Sequence, residues 1–235
     1  MILVKSGENI SDRQNIIAGW YDAPLTSGGE EEACRCGSLL NSLGEGYDVI
    51  FTSYLSSDIK SAFCIKEKYC PWIPVIKAWQ LNDRHFGSLE GKTKAEIERK
   101  YGKELLARIE ADRLELPPQM PDFDMLNPVF DTRYFGIPQR QLPAAESLAD
   151  LSERILPYYE TAIAPCLKSM NNLLLVLHEK PLDTIMKHIG IPSPYGGCLP
   201  GMPQGEAPVT VCRMNGNAEV EEVYTLPRPL RGRSM

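Results

Sequence analysis

The sequence predicts an α/β fold, a three-layer α/β/α sandwich built around a mostly parallel sheet. Short apolar runs over residues 1–4, 49–52 and 173–177 indicate buried strands. Segments with apolar residues at helical spacing separate these runs, and such alternation is typical of parallel strands joined by right-handed crossovers. We expect one domain over residues 1–235, because a chain of this length suits one compact α/β unit.

The remaining elements follow from local signals taken in order. After a loop to residue 25, Ser27 and Glu30 match the capping box that starts a helix, and Gly44 suits its end. Asn215-Gly216 indicates a hairpin that would supply the antiparallel edge strand. The sequence predicts further helices over 57–69, 93–101, 103–111, 147–167 (with a kink at Pro157) and 181–188, and further strands over 74–79, 209–214 and 220–226.

Residues from about 80 to 140 interrupt the alternation. Pro117-Pro118 begins a long irregular stretch that extends to Pro138. Loops of this length are uncommon unless they cover a site or bind something. We therefore expect an insertion that folds over the carboxyl edge of the sheet. The glycine- and proline-rich stretch 190–208 is a predicted loop, and the tail over 228–235 is expected to be disordered.

The composition excludes several classes of function. A net charge of −6 and a pI near 5.2 argue against nucleic acid or an anionic membrane as the main partner. No apolar run reaches 18 residues, and the amino end lacks a signal-peptide pattern, so we expect a cytoplasmic protein. The seven cysteines are odd in number and lack metal spacing, which predicts reduced thiols and no metal site.

Polar residues follow two of the predicted strands directly. Lys5, Ser6, Gly7 and Glu8 come after the first apolar run, and His178 comes after the run that ends at Leu177. Open α/β sheets bind their ligands at the carboxyl ends of their strands. These residues are therefore the first candidates for a functional site.

Four segments of the chain, in order, carry a family resemblance: Gly19–Thr26, Leu81–Gly87, Lys92–Glu96 and Leu142–Leu148. With them the chain resembles the cofactor-dependent phosphoglycerate mutases of the histidine phosphatase superfamily, from residue 2 to about residue 188. In that family the first strand ends in Arg-His-Gly-Glu, and this histidine carries the phosphoryl group. The resemblance also implies 2,3-bisphosphoglycerate as the family cofactor and a homodimer as the expected assembly.

The catalytic positions of the family are only partly matched. Ser6 stands where the family has its nucleophilic histidine, and Lys5 stands where it has the preceding arginine. Asp83 takes the place of the general-acid glutamate, and His178 matches the second histidine. By resemblance, Ser6, His178 and Asp83 are the candidate catalytic residues. Two structural roles stay open: Asp83 could pair with Arg84 or another cation, and His178 could be a hydrogen-bonded, packed residue at a strand end.

The substrate-binding positions have changed more. The candidates that the resemblance leaves are Lys5, Gly7, Asp12, Gly19, Arg84 and Lys94. Phosphate-clamping arginines correspond here to Ser57, Glu110 and Ala111, unless a shift in register brings Arg108 and Arg113 into their place. The Gly-Asn that follows the second histidine is Glu179-Lys180.

These departures predict a pseudoenzyme with a binding or regulatory role, acting on a small-molecule ligand or a protein partner. No cofactor is expected, because binding of 2,3-bisphosphoglycerate should be weak or lost without the arginines. One alternative is an active glycolytic mutase that interconverts 3- and 2-phosphoglycerate, or a phosphatase, with a rearranged site. The other is a pocket for a cationic or zwitterionic molecule, lined by Glu8, Asp12, Asp83, Glu110, Glu179 and Asp183.

Overall fold

The structure is a computed structural model that describes residues 1–169, 171–193 and 209–226. Its centre is a six-stranded sheet in the order β3-β2-β4-β1-β5-β6. The strands are β1 (Ile2–Lys5), β2 (Val49–Thr52), β3 (Val75–Lys77), β4 (Leu173–Leu177), β5 (Val209–Met214) and β6 (Val220–Leu226). β3, β2, β4 and β1 pair in parallel, whereas β5 pairs antiparallel with both β1 and β6. The predicted fold class is confirmed, and the antiparallel strand lies one position inside the edge.

The helices cover both faces of the sheet. They are α1 (Ile10–Gln14), α2 (Ser27–Ser42), α3 (Ser56–Tyr69), α4 (Lys94–Tyr101), α5 (Leu105–Ala111), α6 (Leu148–Tyr158), α7 (Ala164–Lys168) and α8 (Glu179–His188). A π-helical turn, Tyr159–Ile163, joins α6 to α7. Pro157 lies just before this turn and lacks the N–H that a regular helix needs. At the predicted kink the helix therefore changes from α-helical to π-helical geometry.

Side chains along each strand point alternately to the two faces of the sheet, so the core has two layers. Val4, Ile50 and Val176 pack with α2 and α3 on one face of the sheet. Leu3, Leu175 and their neighbours pack with α6 and α8 on the other face. Every residue of β4 is fully buried, as expected for a central parallel strand that is covered on both sides.

Two local predictions are corrected. The cap of α2 is Thr26, whose Oγ1 accepts a hydrogen bond from the Gly29 N–H at 3.0 Å, and Ser27 is already helical. The predicted Ser27–Glu30 capping box is therefore wrong. A real capping box lies in the predicted loop, where Asn9 and Asp12 cap α1.

The insertion between β3 and α6 is fastened to the loop that follows α1. The Tyr134 ring stacks on Trp20 with ring centroids 5.0 Å apart. The Arg133 guanidinium lies 2.6 Å from the Asp22 carboxylate, and Asn82 Nδ2 donates to the Tyr134 hydroxyl at 2.8 Å. These contacts hold the irregular stretch against the part of the chain that leads into the site.

Part of the prediction concerns residues that the structure does not describe. Residues 194–208 of the predicted loop, which include Cys198, and the tail 228–235 lie outside the described residues. The other six cysteines are free thiols: Cys34, Cys36, Cys64, Cys70, Cys166 and Cys212. Within the described ranges, no helix is long and apolar enough to cross a membrane.

Two glycines allow the loop after β1 to rest directly on α2. A Cβ at Gly7 would come within 2.3 Å of the Gly29 carbonyl oxygen, and a Cβ at Gly29 would come within 2.1 Å of the Glu8 carbonyl oxygen. Both obstacles are backbone atoms, so side-chain rotation cannot relieve them.

Gly29→Ala should therefore destabilise the protein by about 1–3 kcal/mol or more, because the loop or the helix must move. Gly28→Ala is the matched control. Its Cβ would meet nothing closer than 3.6 Å, and alanine favours the helix by about 0.5–1 kcal/mol. Urea denaturation measures both variants. Equal effects of the two substitutions would contradict this packing argument.

Candidate functional site

The pairing of β1 with β4 brings the two central candidates together. Lys5 lies opposite Leu177 in this parallel pair, and the Ser6 N–H donates to the Leu177 carbonyl oxygen at 3.0 Å. Ser6 and His178 are the residues that follow these strand ends. Both therefore lie at the carboxyl edge of the sheet, as the sequence predicts.

The amino end of α3 forms the next wall of the site. Ser57 and Ser61 are both buried and lie one helical turn apart. The Ser61 hydroxyl accepts a hydrogen bond from the Gly7 N–H at 3.0 Å. The backbone of the loop beside Ser6 is thus held by a neutral hydroxyl, and the wall that carries Ser57 has no guanidinium.

His178 has an acidic partner that the sequence analysis did not identify. Its Nδ1 lies 2.8 Å from Oδ1 of Asp58, a fully buried residue in the first turn of α3. The two atoms are close but not aligned for a hydrogen bond. The other Asp58 oxygen accepts from the Ser53 hydroxyl at 2.6 Å. The only sequence signal was a carboxylate just after the end of β2, at the same sheet edge.

The charge state of His178 follows from this environment. Burial lowers its pKa, but the carboxylates of Asp58, Asp83 and Asp12 outweigh burial and raise the pKa to about 9. The ring is therefore an imidazolium at neutral pH. A histidine in this state can donate a proton or attract an anion, but it cannot accept a proton.

Asp83 is a second carboxylate whose charge acts on this imidazolium. The residue is only 9% exposed, and its Oδ1 has no hydrogen-bond partner among the described residues. Burial raises the pKa of its carboxyl group, against the opposing charge of His178 and the nearby Lys180. The predicted salt bridge with Arg84 is not what holds it, since that guanidinium is used elsewhere.

Arg84 departs from its predicted contact with substrate. The residue is fully buried, and its guanidinium donates to the carbonyl oxygens of Glu146 at 2.7 Å, Ile109 at 2.7 Å and Glu115 at 3.1 Å. Ile109 lies in α5, Glu115 follows that helix, and Glu146 lies just before α6. Arg84 therefore braces the insertion, and its donors are not directed at a ligand.

Gly19 also has a structural explanation. It has a φ of +57°, and a Cβ there would come within 2.3 Å of Glu90 Oε1. That oxygen accepts from the N–H groups of Trp20 and Phe86, each at 2.9 Å. Burial holds the pKa of Glu90 well above its usual range. The glycine permits this buried junction between two loops.

The remaining candidates lie around the rim. Asp12 accepts from the Asn9 N–H at 3.1 Å in the cap of α1, and its charge still acts on His178. Lys5 is half-buried at the end of β1. Lys94 is exposed at the start of α4.

Two residues that differ from the family pattern, Glu110 and Lys180, form an ion pair with each other. Lys180 Nζ lies 2.6 Å from Glu110 Oε2, which ties the first turn of α8 to α5. The position expected to hold a phosphate-clamping arginine thus carries a carboxylate that is already neutralised. Arg108, the register-shift alternative, contacts Glu115 at 3.3 Å.

Across the described ranges, no group of three or more His, Cys, Asp or Glu side chains could hold a metal ion.

Comparisons with known proteins agree with this architecture. Residues 1–127 match the family model described as histidine phosphatase superfamily (branch 1). The chain belongs to this superfamily. It is phosphoglycerate mutase-like within it, being 40% identical over 192 residues to the 2,3-bisphosphoglycerate-dependent phosphoglycerate mutase of Parabacteroides distasonis, a match that covers 80% of this chain and 77% of the relative.

A second relative supports the same grouping, and two solved structures share the fold. The 2,3-bisphosphoglycerate-dependent phosphoglycerate mutase 2 of Bacteroides thetaiotaomicron is 38% identical over 190 residues, with 80% and 77% of the two chains covered. The alpha-ribazole phosphatase from Shigella flexneri superposes with a TM-score of 0.61 at 19% identity, covering 100% of this chain and 96% of that one. Phosphoglycerate mutase from Bacillus anthracis superposes at 0.56 and 19%, covering 81% and 80%. The superpositions show a shared fold.

Arg84→Lys tests the bracing role of the guanidinium. Lysine cannot reach three carbonyl oxygens in the same fork, so the free energy of unfolding should fall by about 2–4 kcal/mol. Lys94→Ala, at an exposed position, should cause no measurable change. Chemical denaturation of both variants is the measurement, and an unchanged midpoint for Arg84→Lys would refute this role.

The raised pKa of His178 predicts how stability depends on pH. The native state holds this proton more tightly than the unfolded chain, in which the pKa is near 6.5. The resulting stabilisation is complete below pH 6.5 and is lost as pH rises through about 9. The loss should be on the order of 1–3 kcal/mol.

Denaturation curves between pH 6 and pH 9.5 measure this effect, and NMR titration of the His178 ring measures the pKa directly. Asp58→Asn removes the closest negative charge, so both the pKa and the slope of stability against pH should fall. A wild-type pKa near the ordinary histidine value would show that this ion pair is not formed in solution.

Proposed function

We propose that this phosphoglycerate mutase-like protein has lost phosphoryl transfer and acts as a binding or regulatory protein. The observation that carries the proposal is Ser6, which lies beside His178 at the position where the family's nucleophilic histidine is expected. Imidazole is both basic and nucleophilic near neutral pH, whereas a serine hydroxyl needs a neighbouring base or metal to react.

His178 is poorly suited to be that base. Its pKa of about 9 leaves it protonated at pH 7, so it cannot take the Ser6 proton. Asp83 has a carboxyl group with a raised pKa, but aspartate is one methylene shorter than the glutamate that the family resemblance implies. These features argue against a serine nucleophile activated by either neighbour.

The surroundings are also unfavourable for a phosphoryl group. Ser57 and Glu110 stand at expected arginine positions, and Lys5 cannot form the planar, bidentate contact of an arginine. A carboxylate about 4 Å from a phosphoryl charge costs roughly 4 kcal/mol per charge pair at an effective dielectric constant near 20. Binding of 2,3-bisphosphoglycerate is therefore proposed to be weak or absent.

An enzyme assay tests the proposal directly. With 3-phosphoglycerate and 2,3-bisphosphoglycerate, turnover in a coupled mutase assay should fall at least about a thousandfold below that of an active relative, because the covalent step has no histidine. The mutase of Parabacteroides distasonis is a suitable positive control. Comparable turnover by this chain would instead establish an active mutase with a rearranged site.

Labelled 2,3-bisphosphoglycerate provides a second readout. No acid-labile phosphohistidine should form on this chain, whereas the positive control should form it. Label on Ser6 would revive the serine-nucleophile mechanism. The double variant Ser6→His, Lys5→Arg should still lack useful activity while Ser57, Glu110 and Glu179 remain, because these positions concern phosphate binding and not the nucleophile.

A further inference from the structure

We infer that the sheet edge beside His178 binds a small molecule through an ammonium group, with the Asp83 carboxylate as its anionic partner. This inference rests on the proposed loss of the phosphate site, and it names the ligand class that the altered site accepts. The site would then bind a cation where the mutase family binds phosphate.

The first observation is the unpartnered oxygen of Asp83. Asp83 is only 9% exposed, and within the part of the chain that the structure describes no hydrogen-bond donor contacts its Oδ1. Buried polar groups in folded proteins almost always have a partner. A buried carboxylate without one is a site that an added N–H donor would complete, and a charged donor forms the stronger bond.

The second observation is that two nearby positive charges, those of Lys180 and His178, are already paired with carboxylates. Lys180 is paired with Glu110 at 2.6 Å. His178 lies 2.8 Å from Asp58 and is shared among several carboxylates. The imidazolium therefore offsets only part of the negative charge that surrounds it.

The third observation is the acidic character of the rim. Asp12 acts on His178 from the side of α1, and Glu179 acts on Lys180 from the first turn of α8. Negative charges at this edge attract a cation and repel a phosphate. Attraction of this kind favours cationic ligands in both affinity and rate of association.

The ligand class follows from the geometry of the acceptors. The described residues offer no group of three metal-ligating side chains, and Asp58 is used by His178 and Ser53. One free carboxylate oxygen can accept one N–H of an organic ammonium ion, which needs fewer ligands than a metal ion does. The imidazolium nearby would also tolerate an anionic group on the same ligand.

The test uses four probes of similar size on the full chain: n-butylammonium, 4-aminobutyrate, butyrate and n-butanol. At pH 7 and constant ionic strength, n-butylammonium should raise the thermal midpoint in a saturable way, because it binds the native state. Butyrate and n-butanol should not. A response to 4-aminobutyrate stronger than that to n-butylammonium would assign a zwitterionic ligand, and the reverse order would assign a simple amine.

Asp83→Asn keeps the side-chain shape and removes the charge, so its affinity for n-butylammonium should fall at least about tenfold. Asp122→Asn, on the exposed part of the insertion, is the matched control and should bind like the unmodified chain. NMR provides a readout on the unmodified protein. Because a bound cation repels the imidazolium, saturating n-butylammonium should lower the pKa of His178 by at least about half a unit.

Three results would overturn the inference: no saturable response to any ammonium probe, equal binding by Asp83→Asn, or an unmoved His178 pKa. These outcomes are separate from those of the mutase assay. Turnover of phosphoglycerate would refute the proposed loss of function even if n-butylammonium bound. Absence of ammonium binding would leave the loss of phosphoryl transfer intact.

Discussion

The parallel pairing of β1 with β4 is the constraint on which the site depends. It pairs two strands that are far apart in the sequence, so that Ser6 and His178 lie side by side just beyond the strand ends. Full burial of β4 makes that register costly to shift, because a slip of one residue would exchange the two faces of the core. The two strand ends therefore stay paired at the sheet edge, even though Ser6 stands where the family resemblance places the nucleophilic histidine.

The segments that carry the family resemblance have structural duties of their own. Trp20 stacks on Tyr134 and donates its indole N–H to the Asp83 carbonyl oxygen at 2.7 Å. Arg84 joins three backbone carbonyl groups, and Gly19 makes room for Glu90. These contacts are independent of substrate. A chain can keep such segments because the insertion needs them to fold, and their presence alone does not indicate catalysis.

The charges around the pocket have been rearranged as a group. Glu110 and Lys180 both depart from the family pattern, and they neutralise each other. Asp58 brings a buried carboxylate to His178 and keeps the ring protonated. Asp83 keeps a buried oxygen without a donor. Under the proposed ammonium-binding role, the sheet edge that suits a phosphate when arginines line it favours positive charge instead.

The sequence alone determined the mostly parallel sheet, the main helices and strands in order, and the position of Ser6 and His178, because apolar periodicity and strand ends are local signals. It missed the short helix α1, which lies in a predicted loop. It did not determine the ends of helices to the residue, as Thr26 shows, since several polar residues there could serve as the cap. Only the tertiary structure revealed Asp58 as the partner of His178, Glu110 as the partner of Lys180, and Arg84 as a brace. Those roles depend on which side chains meet across distant parts of the chain and on how far each is buried. Neither the contacts nor the burial can be predicted from the local spacing of residues.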